Sequence, residues 1–315
     1  MAFEPTKQKY TGAIRQVTIG TGPKAITVGG RSCFPFYTFE GEMPNPPRIA
    51  MEVWDKDPGP DWPDTAKEPF ADVLGDPVAW AKKCVEVYGA EMIAIQTRSA
   101  DPNDDNRPAE EVAAVVKKVV DAVDVPVVVW GVGNHEKDIE VMRLVTEQCS
   151  GKHLAIAPVE EGDHKQIGAA CMAYDHVVVA STPIDVNLAK QLNVLLGNLG
   201  VRDDNILIDP TTGALGYGLE YTYSVMERIT QAALAQGDDK LANPIINNIG
   251  IEVWKTKEAG QTAEEAPELG DPKKRAVMME AVTAVSFLLA GSDIVILRHP
   301  ETVKLVKGFI ERMMA

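Results

Sequence analysis

From residue 49 to the end of the chain, short runs of β-branched and apolar residues alternate with longer amphipathic segments, and the alternation repeats eight times. The short runs, at 49–54, 91–96, 126–131, 153–157, 176–180, 205–209, 244–249 and 293–297, are nearly continuous in apolar residues. Strands covered on both faces in a parallel sheet read this way, whereas half-exposed strands alternate. The segments between them, at 77–87, 109–123, 136–149, 165–173, 184–199, 221–236, 272–290 and 301–314, carry the 3.6-residue spacing of amphipathic helices. Asp76-Pro77, Thr182-Pro183 and Asp271-Pro272 each set a capping residue before a proline, which predicts helix starts there. Eight strand–helix units in about 250 residues is the pattern of a closed (β/α)8 TIM barrel. A doubly wound open sheet could use the same repeat, but no G-x-G-x-x-G follows an early strand.

The first 48 residues stand outside the repeat. Alternating runs at 14–19 and 25–28 around Gly20-Thr21-Gly22-Pro23 predict an N-terminal β-hairpin extension, placed to cover the N-terminal mouth of the barrel. The chain therefore divides into an N-terminal hairpin and aromatic segment, 1–48, and a barrel, 49–315. Phe34, Phe36, Tyr37 and Phe39 fall within six positions. Such a cluster is either a hydrophobic plug under the barrel or a patch facing a partner.

Composition narrows the partners. The 315 residues hold 31 Lys and Arg against 46 Asp and Glu, a net charge of −15. That surface disfavours a nucleic-acid backbone, where cations must replace counterions, and an anionic lipid surface. No apolar run reaches the roughly 18 residues of a membrane span, and Met1 to Lys7 lacks the basic start and apolar core of a signal peptide. Cys33, Cys84, Cys149 and Cys171 are widely separated. Zinc and iron–sulfur sites usually show close cysteine pairs, so this reads as free thiols in a reducing cytoplasm and no metal held by this chain.

In such a barrel the chemistry sits at the C-terminal ends of the strands. Those ends are rich in Asn, Thr, Asp and Gly: Gly131 to Glu136, Ser181 to Asn187, Asp209 to Gly218, Asn247 to Gly250 and Arg298 to Glu301. Neutral donors and acceptors of this kind suit an amide-rich or heterocyclic ligand more than a hydrolytic reaction. The five histidines fall singly in the sequence, so no metal-dependent hydrolase is indicated, and His135 and His299 at strand ends suit capping. No strand carries an interior Schiff-base lysine. The loop after the sixth barrel strand is the sharpest signal. Asp209 could accept an N–H from a ring, and Gly213, Gly216 and Gly218 around Tyr217 permit close backbone approach or simply make turns. Residues 258–271 read as an acidic, solvated loop.

Several longer stretches carry a family likeness. They are Phe34-Pro-Phe-Tyr-Thr-Phe-Glu-Gly-Glu-Met43, Met51-Glu-Val-Trp-Asp55, Asp61-Trp-Pro-Asp64, Pro69-Phe-Ala-Asp-Val73 and Ser181-Thr-Pro-Ile-Asp-Val-Asn-Leu-Ala-Lys-Gln-Leu-Asn193. To these add Ile208-Asp-Pro-Thr-Thr-Gly-Ala-Leu-Gly-Tyr-Gly-Leu-Glu-Tyr221, Ser224-Val-Met-Glu-Arg228 and Arg298-His-Pro-Glu301. Together, in order and over nearly the whole chain, they resemble the small subunit of the corrinoid iron–sulfur protein. That family also includes the delta subunit of the archaeal acetyl-CoA decarbonylase/synthase complex, and its barrel is related to those of pterin-binding methyltransferases and dihydropteroate synthase.

The resemblance implies one half of a heterodimer that carries a methyl group on the cobalt of a corrinoid (a cobalamin-type cofactor). The methyl would come from methyltetrahydrofolate through a separate methyltransferase and go to acetyl-CoA synthase in the reductive acetyl-CoA pathway. The large subunit would bear the [4Fe–4S] cluster, and the corrinoid would lie base-off at the interface between subunits. Strand-end position within the resemblance makes Asn134, Asn187, Asp209, Thr212, Gly213, Gly216, Tyr217, Asn247 and Arg298 the expected corrin contacts. No residue of this chain is expected to be catalytic, since the cobalt performs the displacement. Two other readings stand beside this one. The first is a stand-alone pterin-binding methyltransferase with Asp209 and Asn247 or Asn248 on the pterin; the second is a purely structural subunit docking through residues 34–39.

Overall fold

A computed structural model describes residues 6–315; the start of the chain, Met1 to Pro5, read above for a targeting signal, lies outside the described residues. Two antiparallel strands come first, β1 (Gln16–Ile19) and β2 (Ile26–Gly29). Eight parallel strands then close a barrel: β3 (Arg48–Trp54), β4 (Met92–Gln96), β5 (Val127–Trp130), β6 (Ala155–Val159), β7 (Val177–Ser181), β8 (Ile206–Asp209), β9 (Ile245–Asn248) and β10 (Ser292–Leu297). They neighbour one another in chain order, and closure comes from β10 pairing with β3, Ile294 opposite Arg48 through Leu297 opposite Met51. The (β/α)8 barrel read from the repeat is the fold, with the hairpin attached.

The helices are α1 (Asp64–Lys67), α2 (Pro77–Glu86), α3 (Ala109–Ala122), α4 (His135–Gln148), α5 (His164–Tyr174), α6 (Val186–Leu199), α7 (Leu219–Gln236), α8 (Ile249–Trp254), α9 (Lys257–Gly260), α10 (Pro272–Ala290) and α11 (Pro300–Met314). Asp76 caps α2 by accepting from the Val78 and Ala79 N–H groups, and Asp271 caps α10 through Lys274. The start expected at Thr182-Pro183 is displaced. Asp185 is the cap of α6, taking the N–H groups of Asn187 and Leu188, while the Thr182 carbonyl accepts from the Thr211 hydroxyl. Residues 258–271 are mostly exposed, as a solvated loop should be, and contain the end of α9 and a short turn of 3-10 helix (Pro267–Leu269).

Alternation along the strands sorts side chains between two cores. Outward residues such as Met51, Ile93, Val129 and Ile156 meet the helices. Inward residues such as Ala50, Ala94, Val128, Val179, Leu207, Ile246 and Ile296 fill the lumen, and Val17, Ile19, Ile26 and Val28 of the hairpin close its lower end. Gly20 N–H donates to the His153 carbonyl just before β6, which seats the hairpin under the N-terminal mouth as expected. Buried Arg31 ties it there through Asp293, whose other oxygen accepts the Ile245 N–H. The aromatic segment does not plug the lumen. Phe36 packs edge-on against Phe309 of α11 and Phe34 against Tyr10, while Tyr37 and Phe39 stay about half exposed.

Candidate functional site

One register step above the apolar lumen, the inward-facing residue of most strands becomes polar or aromatic. Ala50 is followed two residues on by Glu52, Ala94 by Gln96, Val128 by Trp130, Val179 by Ser181, Leu207 by Asp209, Ile246 by Asn248 and Ile296 by Arg298. The same twofold periodicity that dries the lumen thus builds a polar ring at the C-terminal mouth. Above it opens a cavity of about 960 Å³ lined by Trp54, Arg98, Trp130, Ser181, Asp209, Thr211, Thr212, Asn248 and Arg298, among others.

A buried ion pair within the ring braces it. Arg298 Nε and Nη2 donate to Glu52 Oε2 and Oε1 at 2.8 and 3.1 Å. Glu52 Oε1 also accepts from Trp54 Nε1 at 2.7 Å, and the guanidinium lies 3.9 Å from the Trp62 ring centre. Gly250 makes room for this, since a Cβ there would sit 2.5 Å from Glu52 Oε2. Trp62 packs edge-on to Trp54 and Trp80, which pins the long loop after β3 to the barrel. Arg98 also lies over Trp54, 5.4 Å from its ring centre. Across the lumen, Gln96 Nε2 donates to Asn248 Oδ1 at 3.2 Å. That bond leaves Gln96 Oε1 and Asn248 Nδ2 buried with no partner. Burial pushes the Asp209 carboxyl up to about 7, so at neutral pH it is near half-protonated and can donate as well as accept. Its Oδ1 accepts the Thr211 N–H at 3.1 Å.

Of the residues expected at the site, Asp209, Thr212 and Arg298 line the cavity. Asn247 is one register step away, because alternation sends Ile246 and Asn248 inward and Asn247 outward, where Nδ2 reaches Thr212 Oγ1 at 3.3 Å. Gly213 lies under the loop, where a Cβ would be 2.5 Å from the Gly218 carbonyl oxygen. Gly216 has φ of +79° with open space beside it, and half-exposed Tyr217 donates to Glu258 Oε2 at 3.1 Å, joining this loop to α9. Asn134 caps α4 through the Lys137 N–H, and Asn187 is an exposed residue in the first turn of α6; neither lines the cavity. Glu52, Trp54, Gln96, Arg98, Trp130 and Asn248 join the ring unnamed as corrin contacts above. The signal for the strand members was the position two beyond the last inward apolar residue.

One reading is corrected. The histidines are single in sequence but not in space: His135 Nδ1 lies 2.7 Å from Asp163 Oδ2 and Nε2 lies 3.6 Å from Glu160 Oε2. These three come from loops 25 to 28 residues apart, a distance that spacing cannot reveal. Among the described residues they are the one group of His, Cys, Asp or Glu close enough to hold an ion. His299 keeps to its capping role, Nδ1 accepting the Glu301 N–H at 3.1 Å. All four cysteines are buried and free, and burial raises the thiol pKa of Cys149 to about 11. Among the described residues, no helix is long and apolar enough to cross a membrane.

A sealed apolar lumen under an open, hydrogen-bonding mouth defines a (β/α)8 barrel with its polar groups gathered at the C-terminal end of the strands. Solved structures agree on the fold. Dihydropteroate synthase of Xanthomonas albilineans superimposes with a TM-score of 0.58 at 15% identity, covering 90% of this chain and 99% of that one. The Stenotrophomonas maltophilia enzyme gives 0.56 at 18% identity, over 86% and 94%. Sequence comparison goes further. Residues 16–310 match the family model for the CO dehydrogenase/acetyl-CoA synthase delta subunit. The acetyl-CoA decarbonylase/synthase complex subunit delta of Archaeoglobus fulgidus is 36% identical, over 97% of this chain and 69% of its own length. The delta subunit of Methanothermobacter thermautotrophicus is 34% identical over 97% and 77%. The chain belongs to the CO dehydrogenase/acetyl-CoA synthase delta subunit family.

Proposed function

We propose that this chain is the small subunit of a corrinoid iron–sulfur protein and that its barrel mouth covers a corrinoid carried at the interface with a large subunit. When bound, that group supplies the methyl-carrying cobalt. The observation that carries the reading is the polar ring, above all the buried, unpartnered Gln96 Oε1 and Asn248 Nδ2. Orphaned polar atoms of this kind are unfavourable unless something meets them, and a corrin is fringed with amides that donate and accept. Asp209, Thr212 and Asn248 would meet that fringe, while Trp54 and Trp130 give the mouth flat apolar walls that exclude water. Asn134 and Asn187, at the starts of α4 and α6, would contact the large subunit or a corrin edge only beyond the rim. The methyl would be received from a methyltetrahydrofolate methyltransferase and passed to acetyl-CoA synthase, with the [4Fe–4S] cluster on the large subunit.

Co-expression with a large subunit tests this. The purified pair should show a corrinoid spectrum and stoichiometric cobalt, and Asn248→Leu should lower the cobalt retained per heterodimer at unchanged subunit pairing. Full cobalt retention in that variant would refute the placement. Asp209 with the free Asn248 amide would also suit a pterin edge. Tight binding of methyltetrahydrofolate by the isolated chain would therefore favour a stand-alone pterin-binding methyltransferase.

A further inference from the structure

We propose that the rim of the mouth carries a divalent-cation site, with His135 Nε2 and the Glu160 carboxylate as ligands and Asp163 as the positioning residue behind them. His135 opens α4, Glu160 follows β6, and Asp163 immediately precedes α5. The Asp163 side chain is 2% exposed and both its oxygens are engaged, Oδ2 with His135 Nδ1 at 2.7 Å and Oδ1 with the Glu160 N–H at 2.8 Å. A carboxylate on Nδ1 keeps the proton there and leaves Nε2 as the lone-pair nitrogen, which is how imidazoles that ligate metals are oriented. Nε2 then faces Glu160 Oε2 across 3.6 Å. Two acceptors so placed repel unless a proton on Nε2 or a cation lies between them. The separation is too long for a hydrogen bond, yet two ligands about 2.0–2.1 Å from one tetrahedral ion stand about 3.4 Å apart.

Two independent features support a built site. Gly162 forms a cradle for the imidazole, since a Cβ there would fall 3.0 Å from Nε2 and 3.1 Å from Cε1 of His135. The Thr182 hydroxyl, on a residue 6% exposed, has no partner and lines the same cavity of about 250 Å³ as His135 and Glu160. It can hold a water completing the coordination shell. One nitrogen and one carboxylate oxygen select a borderline ion such as Zn²⁺ over Mg²⁺ or Ca²⁺. The bound ion would cross-link the loops that open α4 and α5 at the edge of the mouth.

The test uses the whole chain, freed of metal by chelation and titrated with Zn²⁺ by calorimetry, with Co²⁺ absorption as a second readout. One saturable equivalent is expected, weakened at least about tenfold in His135→Ala and Glu160→Gln and about 10–100-fold in Asp163→Asn. Gly162→Ala should weaken it too, by displacing the ring. His135 is about half exposed, so its removal leaves the fold intact and keeps the test decisive. His153→Ala, which removes a separate His153–Asp175 pair, should bind as the parent does. Unchanged binding in His135→Ala, equal weakening in His153→Ala, or no saturable equivalent would each overturn the site.

Discussion

Replacing Glu52 by Gln removes one charge from the most buried ion pair in the barrel. Glu52 is fully buried and the Arg298 side chain is 2% exposed, so the guanidinium has no water to turn to when its partner is neutralised. Glu52 makes three side-chain bonds, two with Arg298 and one with Trp54 Nε1. Gln can keep the indole bond or one guanidinium bond through its oxygen, but its NH₂ group faces a donor. Losing one partner of such a pair costs about 3–5 kcal/mol, because a buried charge is left uncompensated. Trp62, 3.9 Å from the guanidinium, keeps its ring face against the charge in parent and variant alike and so moderates the loss only in part. The expected loss is therefore about 2–4 kcal/mol, read by urea unfolding at neutral pH. The pair Glu52→Leu with Arg298→Met should lose much less than the two single substitutions summed, because no charge then remains buried. A Glu52→Gln protein within about 1 kcal/mol of the parent, or a strictly additive double variant, would show that water reaches the pair and that the ring is not supported as described.

The remaining predictions concern the mouth and the base of the barrel. Asp209 has its folded pKa raised from 3.8 to about 7 by burial, so its contribution is favourable below the unfolded value and is lost as pH rises from about 4 to about 7. Asp209→Asn should flatten that part of the stability–pH curve and leave the protein more stable than the parent at pH 8, by at most about 4 kcal/mol; a parallel pair of curves would contradict this. Gly213→Ala should destabilise far more than Gly216→Ala in thermal unfolding. The first Cβ meets a backbone oxygen at 2.5 Å, whereas the second only strains a left-handed residue by about 1 kcal/mol. Arg31→Met leaves buried Asp293 without its cation and should cost about 3–5 kcal/mol, with amide exchange rising first in β1 and β2. Equal protection of those strands in the variant would show that apolar packing alone seats the hairpin.

The barrel was legible because its cause is local. Each of the eight strands is a short apolar run bounded by turn residues, and each major helix shows its own periodicity, so the repeat appears without knowledge of any contact. Asp209, Thr212 and Arg298 were legible for the same reason, being at or just beyond strand ends. What the chain could not disclose linearly was side-chain direction and company. A single register step separates Asn248, in the ring, from Asn247, behind it. Glu52 and Arg298 are 246 residues apart and meet only because β10 closes on β3. His135 comes from the turn before α4 and Glu160 and Asp163 from the turn after β6, and curvature of the barrel brings the two turns to one edge. Periodicity and family likeness, both properties of neighbouring residues, determined the architecture and the family. Closure of the sheet, which fixes which strand ends face one another across the lumen, decided which side chains form the site.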